Sequence, residues 1–255
     1  VILMQLEKKT VLITGASSGL GRALAVALAK RGNAIVATAR RADLLEELRK
    51  EIEASGGRCL PVAADSSITA EAEGVLQKGT AAFGPIDVAI LNAGGGKATN
   101  MATATAAQVL QQMRTNYDTF VNYLCPLIAR MKERGGTIAY TSSPAGYFGL
   151  PKSGPYSASK AAGRTLMDTC RIELAHTPLR FVALYPGFTY TEGLDAADVP
   201  VKALIIHKDR AVREMLKAIE RGKGHHLFPK RIAFLISLGR LIPEPVRRWV
   251  LARAA

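Results

Sequence analysis

The sequence predicts an α/β protein: a doubly wound parallel sheet with helices on both faces, in a single domain over residues 1–255. Three observations predict it. Short β-branched runs alternate with longer amphipathic ones along most of the chain. The first run, Thr10–Thr14, opens into a glycine-rich turn, Gly15-Ala16-Ser17-Ser18-Gly19-Leu20-Gly21. The fourth run ends in a second cluster, Asn92-Ala93-Gly94-Gly95-Gly96. Open parallel sheets bind ligands at the carboxyl ends of their strands, where both clusters fall.

Thr10–Thr14 reads as a buried parallel strand, and the periodic run after the turn reads as a helix ending near Gly32. Glycines permit a tight turn and close backbone approach, and a helix N-terminus presents N–H groups to phosphate oxygens. Gly15, Ser17, Ser18, Gly19 and Leu20 are therefore candidate phosphate-binding residues. The spacing is Gly-x-x-x-Gly-x-Gly, not the commoner Gly-x-Gly-x-x-Gly. Ile35–Ala39 is the second strand, followed by Arg40 and Arg41. An acid at this point would accept the ribose 2′-hydroxyl of NAD and repel an added phosphate. A guanidinium instead binds that phosphate through forked, charge-assisted hydrogen bonds. The two arginines favour NADP(H).

Asp43–Ser55 is a charged amphipathic helix closed by Gly56-Gly57, and Cys59–Ala63 is a third strand. It leads to Asp65 and Ser66, a polar pair placed to read an adenine edge. Thr69–Phe83 is helical and Asp87–Leu91 is the fourth strand. Thr105–Met131 reads as one long helix containing Asn116, kinked at Pro126 if anywhere. Thr137–Ser142 is the fifth strand, followed by Ser143-Pro144-Ala145-Gly146 and a Gly/Pro-containing loop. Tyr156 and Lys160 then lie one helical turn apart, a phenol beside an ammonium. A neighbouring cation favours the phenolate, which gives the pair an acid–base use. The plain alternative is an aromatic ring packed on a lysine stem.

That helix runs to about His176, and Arg180–Tyr185 is a sixth strand ending at Pro186-Gly187. Residues 188–206, with Thr189 and Thr191, have the mixed character of a substrate lid. His207–Arg221 is an amphipathic helix and His225–Phe228 the last strand. The adjacent histidines face opposite sides of that strand without a third ligand, so no metal site is expected. The tail, 230–253, is apolar and basic together and is split by Pro243 and Pro245. Three roles fit it: contact with an anionic membrane surface, packing on another subunit, or capping the substrate pocket.

The net charge of +13, from 34 Lys+Arg against 21 Asp+Glu, suggests acidic partners such as phosphorylated cofactors or anionic lipids. No basic stripe interleaved with aromatics appears, so nucleic-acid binding is not expected. Cys59, Cys125 and Cys170 are widely spaced among apolar residues, which suits reduced thiols and a cytoplasmic location. Val1-Ile2-Leu3-Met4 is too short an apolar stretch for a signal peptide or membrane span.

Taken together and in this order, Thr14-Gly15-Ala16-Ser17-Ser18-Gly19-Leu20-Gly21, Asn92-Ala93-Gly94, Asn116, Ser143, Tyr156-Ser157-Ala158-Ser159-Lys160 and Pro186-Gly187 resemble the short-chain dehydrogenase/reductase family. The resemblance covers roughly residues 9–191; the set is specific, although no single member is. Leu91 departs from it, since many members carry a second Asn there. The resemblance implies a Rossmann-type sheet and a nicotinamide-dependent oxidoreductase. With the NADP(H) that Arg40 and Arg41 favour, the reaction would most naturally be reduction of a ketone or aldehyde. The lid region 188–206 suits a mainly apolar substrate, although the resemblance is no guide to which one. The resemblance makes Tyr156 the proton donor to the carbonyl oxygen, with Ser143 hydrogen-bonded to the same oxygen. Lys160 would lower the Tyr156 pKa and hold the nicotinamide ribose, and Asn116 would hold a water linking Lys160 to solvent. Asp65 would read the adenine, Asn92, Ala93 and Gly94 would line its ribose, and Pro186, Gly187, Thr189 and Thr191 would meet the nicotinamide. A homodimer or homotetramer is implied by the same analogy. The competing reading is an NADP-binding sensor or scaffold without turnover, which tight binding with no activity across a carbonyl panel would reveal. The particular substrate is not legible.

Overall fold

Strand β1 (Thr10–Thr14) is buried at every position, as a strand covered on both faces must be. So are β2 (Ala34–Ala39) and β4 (Val88–Leu91). The computed structural model describes residues 4–189 and 205–253. It joins these strands with β3 (Arg58–Ala63), β5 (Gly136–Thr141), β6 (Leu179–Pro186) and β7 (His225–Phe228) into one sheet of order β3-β2-β1-β4-β5-β6-β7. Every neighbouring pair is parallel. The predicted doubly wound sheet is the observed one.

Alternation along the strands sorts the helices into two layers. Val11 and Ile13 belong to a core with α1 (Gly19–Ala29), α2 (Ala42–Ala54) and α7 (Lys208–Glu220). Leu12 faces the other way, into a core with α3 (Thr69–Phe83), α5 (Thr119–Met131) and α6 (Gly154–Glu173). The two histidines of β7 obey the same rule: His225 meets Tyr185 and Asp168, whereas His226 meets Glu214 of α7. Among the described residues no cluster could hold a metal ion.

The expected single helix over 105–131 is not observed. Thr105 caps α4 (Ala106–Met113) through a capping box with Gln108. Residues Arg114–Asp118 then form a π-helical turn before α5 begins. The irregularity sits at Asn116, and Pro126 lies within the continuous α5. The tail folds as α8 (Lys230–Leu241) and α9 (Glu244–Arg253), divided at Pro243, with Pro245 already inside α9. Most of the expected lid, including Thr191, lies outside the described residues.

Candidate active site

The order of the strands reverses between β1 and β4, and a crevice at such a point is where parallel sheets hold ligands. Both glycine clusters emerge there, and they touch. Thr14 Oγ1 accepts hydrogen bonds from the Asn92 and Ala93 N–H groups at 2.9 and 3.0 Å. Gly15 has φ of +68°, and a Cβ there would stand 2.9 Å from Ala93 Cα. A Cβ at Gly21 would stand 2.2 Å from the Gly15 carbonyl oxygen and 2.8 Å from Asn92 Nδ2. Only glycine at these positions lets the first turn close onto the second cluster.

The turn delivers the chain into α1. Ser18 is the helix N-cap, yet its side chain makes no cap hydrogen bond. Its hydroxyl accepts from Arg41 Nη2 at 2.6 Å, and Ser17 Oγ accepts from the same nitrogen at 2.9 Å. Arg41 is exposed and folds over the turn, while Arg40 is exposed beside it and helps hold the Asp65 carboxylate in its charged form. Hydrogen bonds from Ser67 are the larger cause of that lowered Asp65 pKa. Ser66 is buried, and its carbonyl accepts from Asn122 Nδ2. These residues suit a phosphorylated dinucleotide: a tight glycine cradle, a helix N-terminus, and a guanidinium poised at the β2 end.

On the other side of the crevice, Tyr156 and Lys160 project from the first turns of α6. Lys160 is buried, donates from Nζ to the Thr141 carbonyl at 2.9 Å, and lies 5.8 Å from the Tyr156 ring centroid. It also sits 5.1 Å from the centre of Tyr140, a fully buried ring of β5. Burial pulls the Lys160 ammonium down to about 7. Burial likewise raises the Tyr156 phenol, and a hydrogen bond from Ser143 pulls it partly back. The protein alone therefore keeps Tyr156 protonated, contrary to the expectation that Lys160 lowers its pKa. Burial disfavours the charged form of Lys160 as well, which weakens the cation beside the phenol. Ser143 stands at the end of β5 and caps the short turn Pro144–Tyr147 by accepting from the Ala145 N–H.

Asn116 is fully buried in the π-helical turn. Its Oδ1 accepts from the Gly95 N–H, and its Nδ2 donates to the carbonyls of Gly95 and Gln112 at 3.0 and 3.1 Å. Gln112 adds a hydrogen bond to the Gly95 carbonyl and accepts from the Lys97 N–H. Together they clamp the second glycine cluster above Tyr156 and Lys160. A Cβ at Gly94 would lie 2.5 Å from Asn116 Oδ1 and 3.3 Å from Lys160 Nζ, and one at Gly96 would lie 3.3 Å from the Tyr156 ring. Gln112 and Tyr140 were missed by sequence reasoning. Nothing in their local pattern marks them, because their roles arise from contacts across the sheet. Gly187 closes the far wall, its N–H donating to the Phe228 carbonyl, and Thr189 is buried beyond it, with its hydroxyl donating to the Gly187 carbonyl.

A family model described as short chain dehydrogenase matches residues 9–199. An "uncharacterized oxidoreductase" of Myxococcus xanthus is 35% identical over 248 residues, covering 96% of this chain and 96% of its own. A solved short-chain type dehydrogenase/reductase from Mycobacterium marinum matches with a TM-score of 0.81 at 27% identity, over 88% of this chain and 95% of that one. An alcohol dehydrogenase from the archaeon Thermococcus sibiricus, complexed with 5-hydroxy-NADP, matches with a TM-score of 0.71 at 26% identity, over 81% and 88%.

Proposed function

The chain belongs to the short-chain dehydrogenase/reductase family and is an oxidoreductase of it, and we propose that it uses NADP(H) to reduce the carbonyl group of a mainly apolar substrate. The observation that carries this reading is the grouping of Tyr156, Lys160, Ser143 and Asn116 around one crevice at the β1/β4 reversal. The cofactor, when bound, supplies the hydride. The turn 15–21 and the α1 N-terminus hold its phosphates, Arg41 and Arg40 its 2′-phosphate, and Asp65 and Ser66 flank its adenine. Asn92, Ala93 and Gly94 line the adenine ribose, and Pro186, Gly187 and Thr189 meet the nicotinamide side.

Hydride addition builds negative charge on the carbonyl oxygen, and the residues beside it answer that charge. Tyr156 gives its phenolic proton to this oxygen, while the Ser143 hydroxyl donates a hydrogen bond to it. A phenol kept protonated by burial is in the right state for that step. Lys160 holds the nicotinamide ribose hydroxyls, and Asn116 fixes the loop that roofs them. Support for NADP over NAD comes from Arg41, aimed at the turn by Ser17 and Ser18, and from the NADP derivative bound to the Thermococcus relative. Support for an apolar substrate comes from Met101, exposed against Gly154 two residues before Tyr156, and from the half-exposed Phe188.

The test is NADPH consumption across a panel of ketones and aldehydes, with NADH as the comparison. Tyr156→Phe is expected to cut kcat by about a hundredfold to ten-thousandfold while cofactor affinity stays the same. Full activity in that variant would refute the assignment, and tight NADPH binding without turnover on any carbonyl would favour a sensor.

A further inference from the structure

We propose that α8 and α9 form a docking surface for an anionic lipid bilayer, with the lipid phosphates met by the basic residues around it. The inference does not depend on the hydride-transfer reading. An amphipathic helix on a water-soluble domain normally turns its apolar face inward. In α8 both faces are apolar. The inner one is already occupied: Ile232 is buried against Gly187, and Gly239 lies against the Phe148 ring. The outer one carries Phe234, Leu238 and Leu241 at i, i+4 and i+7, with Leu235 beside them. These side chains are 68, 44, 82 and 51% exposed in the order Phe234, Leu238, Leu241, Leu235. On α9, Val246, Trp249 and Val250 are likewise exposed. Exposed large apolar side chains grouped along two successive helices are unusual on a solvated face and mark a site of contact.

The charges around it choose the occupant. Lys230, Arg231, Arg240, Arg247, Arg248 and Arg253 fall in these two helices, against the single acid Glu244. Lys230 and Arg231, at the start of α8, also line a cavity of about 500 Å³ beside α7, together with Arg210, Lys217, Arg221 and Lys223. Its one acid, Glu214, is paired with His226. Apolar side chains bordered by cations match an acyl layer under a sheet of phosphates. Trp249 fits the boundary between them, with Arg253 stacked 3.6 Å from its ring centroid. A second copy of the chain fits poorly. In a two-fold contact the same patch meets itself, so the basic rims would face each other. No described helix is long and apolar enough to cross a membrane, so the contact is peripheral.

Trp249 is the only tryptophan in the chain, so its emission reports this surface and nothing else. The whole 255-residue chain with NADPH is mixed with vesicles of phosphatidylcholine alone or of phosphatidylcholine with phosphatidylglycerol. Flotation with the phosphatidylglycerol vesicles and a blue shift of Trp249 emission are expected, with much weaker flotation on phosphatidylcholine. Phe234→Glu with Leu238→Glu is expected to abolish both signals while NADPH binding and the circular dichroism spectrum stay unchanged. Arg231→Glu with Arg248→Glu is expected to weaken flotation by more than about tenfold. Absence of flotation on anionic vesicles overturns the proposal. So does flotation that survives the Phe234/Leu238 substitutions. A blue shift that rises with protein concentration without vesicles, and is lost in that variant together with a dimer, would make the face a subunit contact instead. Release of bound protein by inorganic phosphate alone would reduce the site to a free-phosphate site and overturn the lipid assignment.

Discussion

At the level of single residues, Lys160 is where the chemistry and the fold oppose each other. Burial holds its pKa at about 7, far below that of a free lysine, so near neutral pH it is only partly charged. A folded pKa below the unfolded one means that the fold favours the neutral amine. That contribution is fully present above the unfolded value and is lost as pH falls toward 7. A bound anionic cofactor works the other way, since its phosphates favour the ammonium. Binding should therefore take up a proton, and affinity should fall as pH rises above about 7 until the bound-state pKa is reached. Titration of NADPH fluorescence against pH, with calorimetry in two buffers of different ionisation enthalpy, measures both effects. Flat affinity through that window in the parent protein, or a slope that persists in Lys160→Met, would remove Lys160 as the cause. Arg41 carries a separate expectation. It reaches Ser17 through Nε and Nη2 and Ser18 through Nη2, which holds its guanidinium over the turn, on the side where the proposed 2′-phosphate contact falls. Hydrogen bonds to a charged group contribute about 1.5–3 kcal/mol, so Arg41→Ala should weaken NADPH by about tenfold to a hundredfold and leave NADH almost untouched. Equal weakening of the two cofactors would show that Arg41 serves the turn and not the extra phosphate.

At the level of elements, the two glycine turns act as one piece because each needs the other's backbone. Gly21→Ala forces a Cβ to within 2.2 Å of the Gly15 carbonyl oxygen, a backbone atom that cannot rotate away. The turn must open. Overpacking of this kind costs about 1–3 kcal/mol, and the displaced turn should also bind NADPH less tightly. Urea denaturation and cofactor titration on the same variant check the two halves, and parental values in both would mean the close approach is dispensable. The turns were legible in the sequence because glycine clusters after β-branched runs have few other uses, and the strands were legible because β1, β2 and β4 are short runs made mostly of apolar and β-branched residues. The π-helical turn was not. Nothing in Arg114–Asp118 separates it from ordinary helix; the extra residue is stabilised by Asn116 reaching across to Gly95, a contact between segments twenty-one positions apart. The outward face of α8 was hidden for a different reason. With apolar residues on both sides, periodicity cannot say which side packs inward; the contacts of Ile232 and Gly239 decide it.

At the level of the whole molecule, the site draws on both halves of the sheet. Arg41 follows β2 and the first glycine turn follows β1 on one side of the reversal, while Thr141 ends β5 and Tyr156 and Lys160 stand on α6 on the other. This division explains why the sequence revealed the members of the site but not how they are held together. Each motif is local, whereas Thr14, Gln112, Asn116 and Tyr140 join them across strands far apart in the chain. A ligand that spans the reversal binds the native state and no part of the unfolded one, so it must stabilise the fold as a whole. At a hundredfold excess over its dissociation constant the gain is about 2.7 kcal/mol. For a chain of this length each kcal/mol raises the midpoint by about 2–4 °C, so saturating NADPH should raise it by roughly 5–11 °C. At equal concentration NADH should give a clearly smaller rise, because it lacks the phosphate that Arg41 is proposed to meet. Arg41→Ala should bring the NADPH shift down toward the NADH one without altering the midpoint of the unliganded protein. Calorimetric melting of both proteins with each cofactor measures all four shifts. If NADH and NADPH raise the parental midpoint equally, the proposed preference for NADP falls, whatever the substrate of the enzyme proves to be.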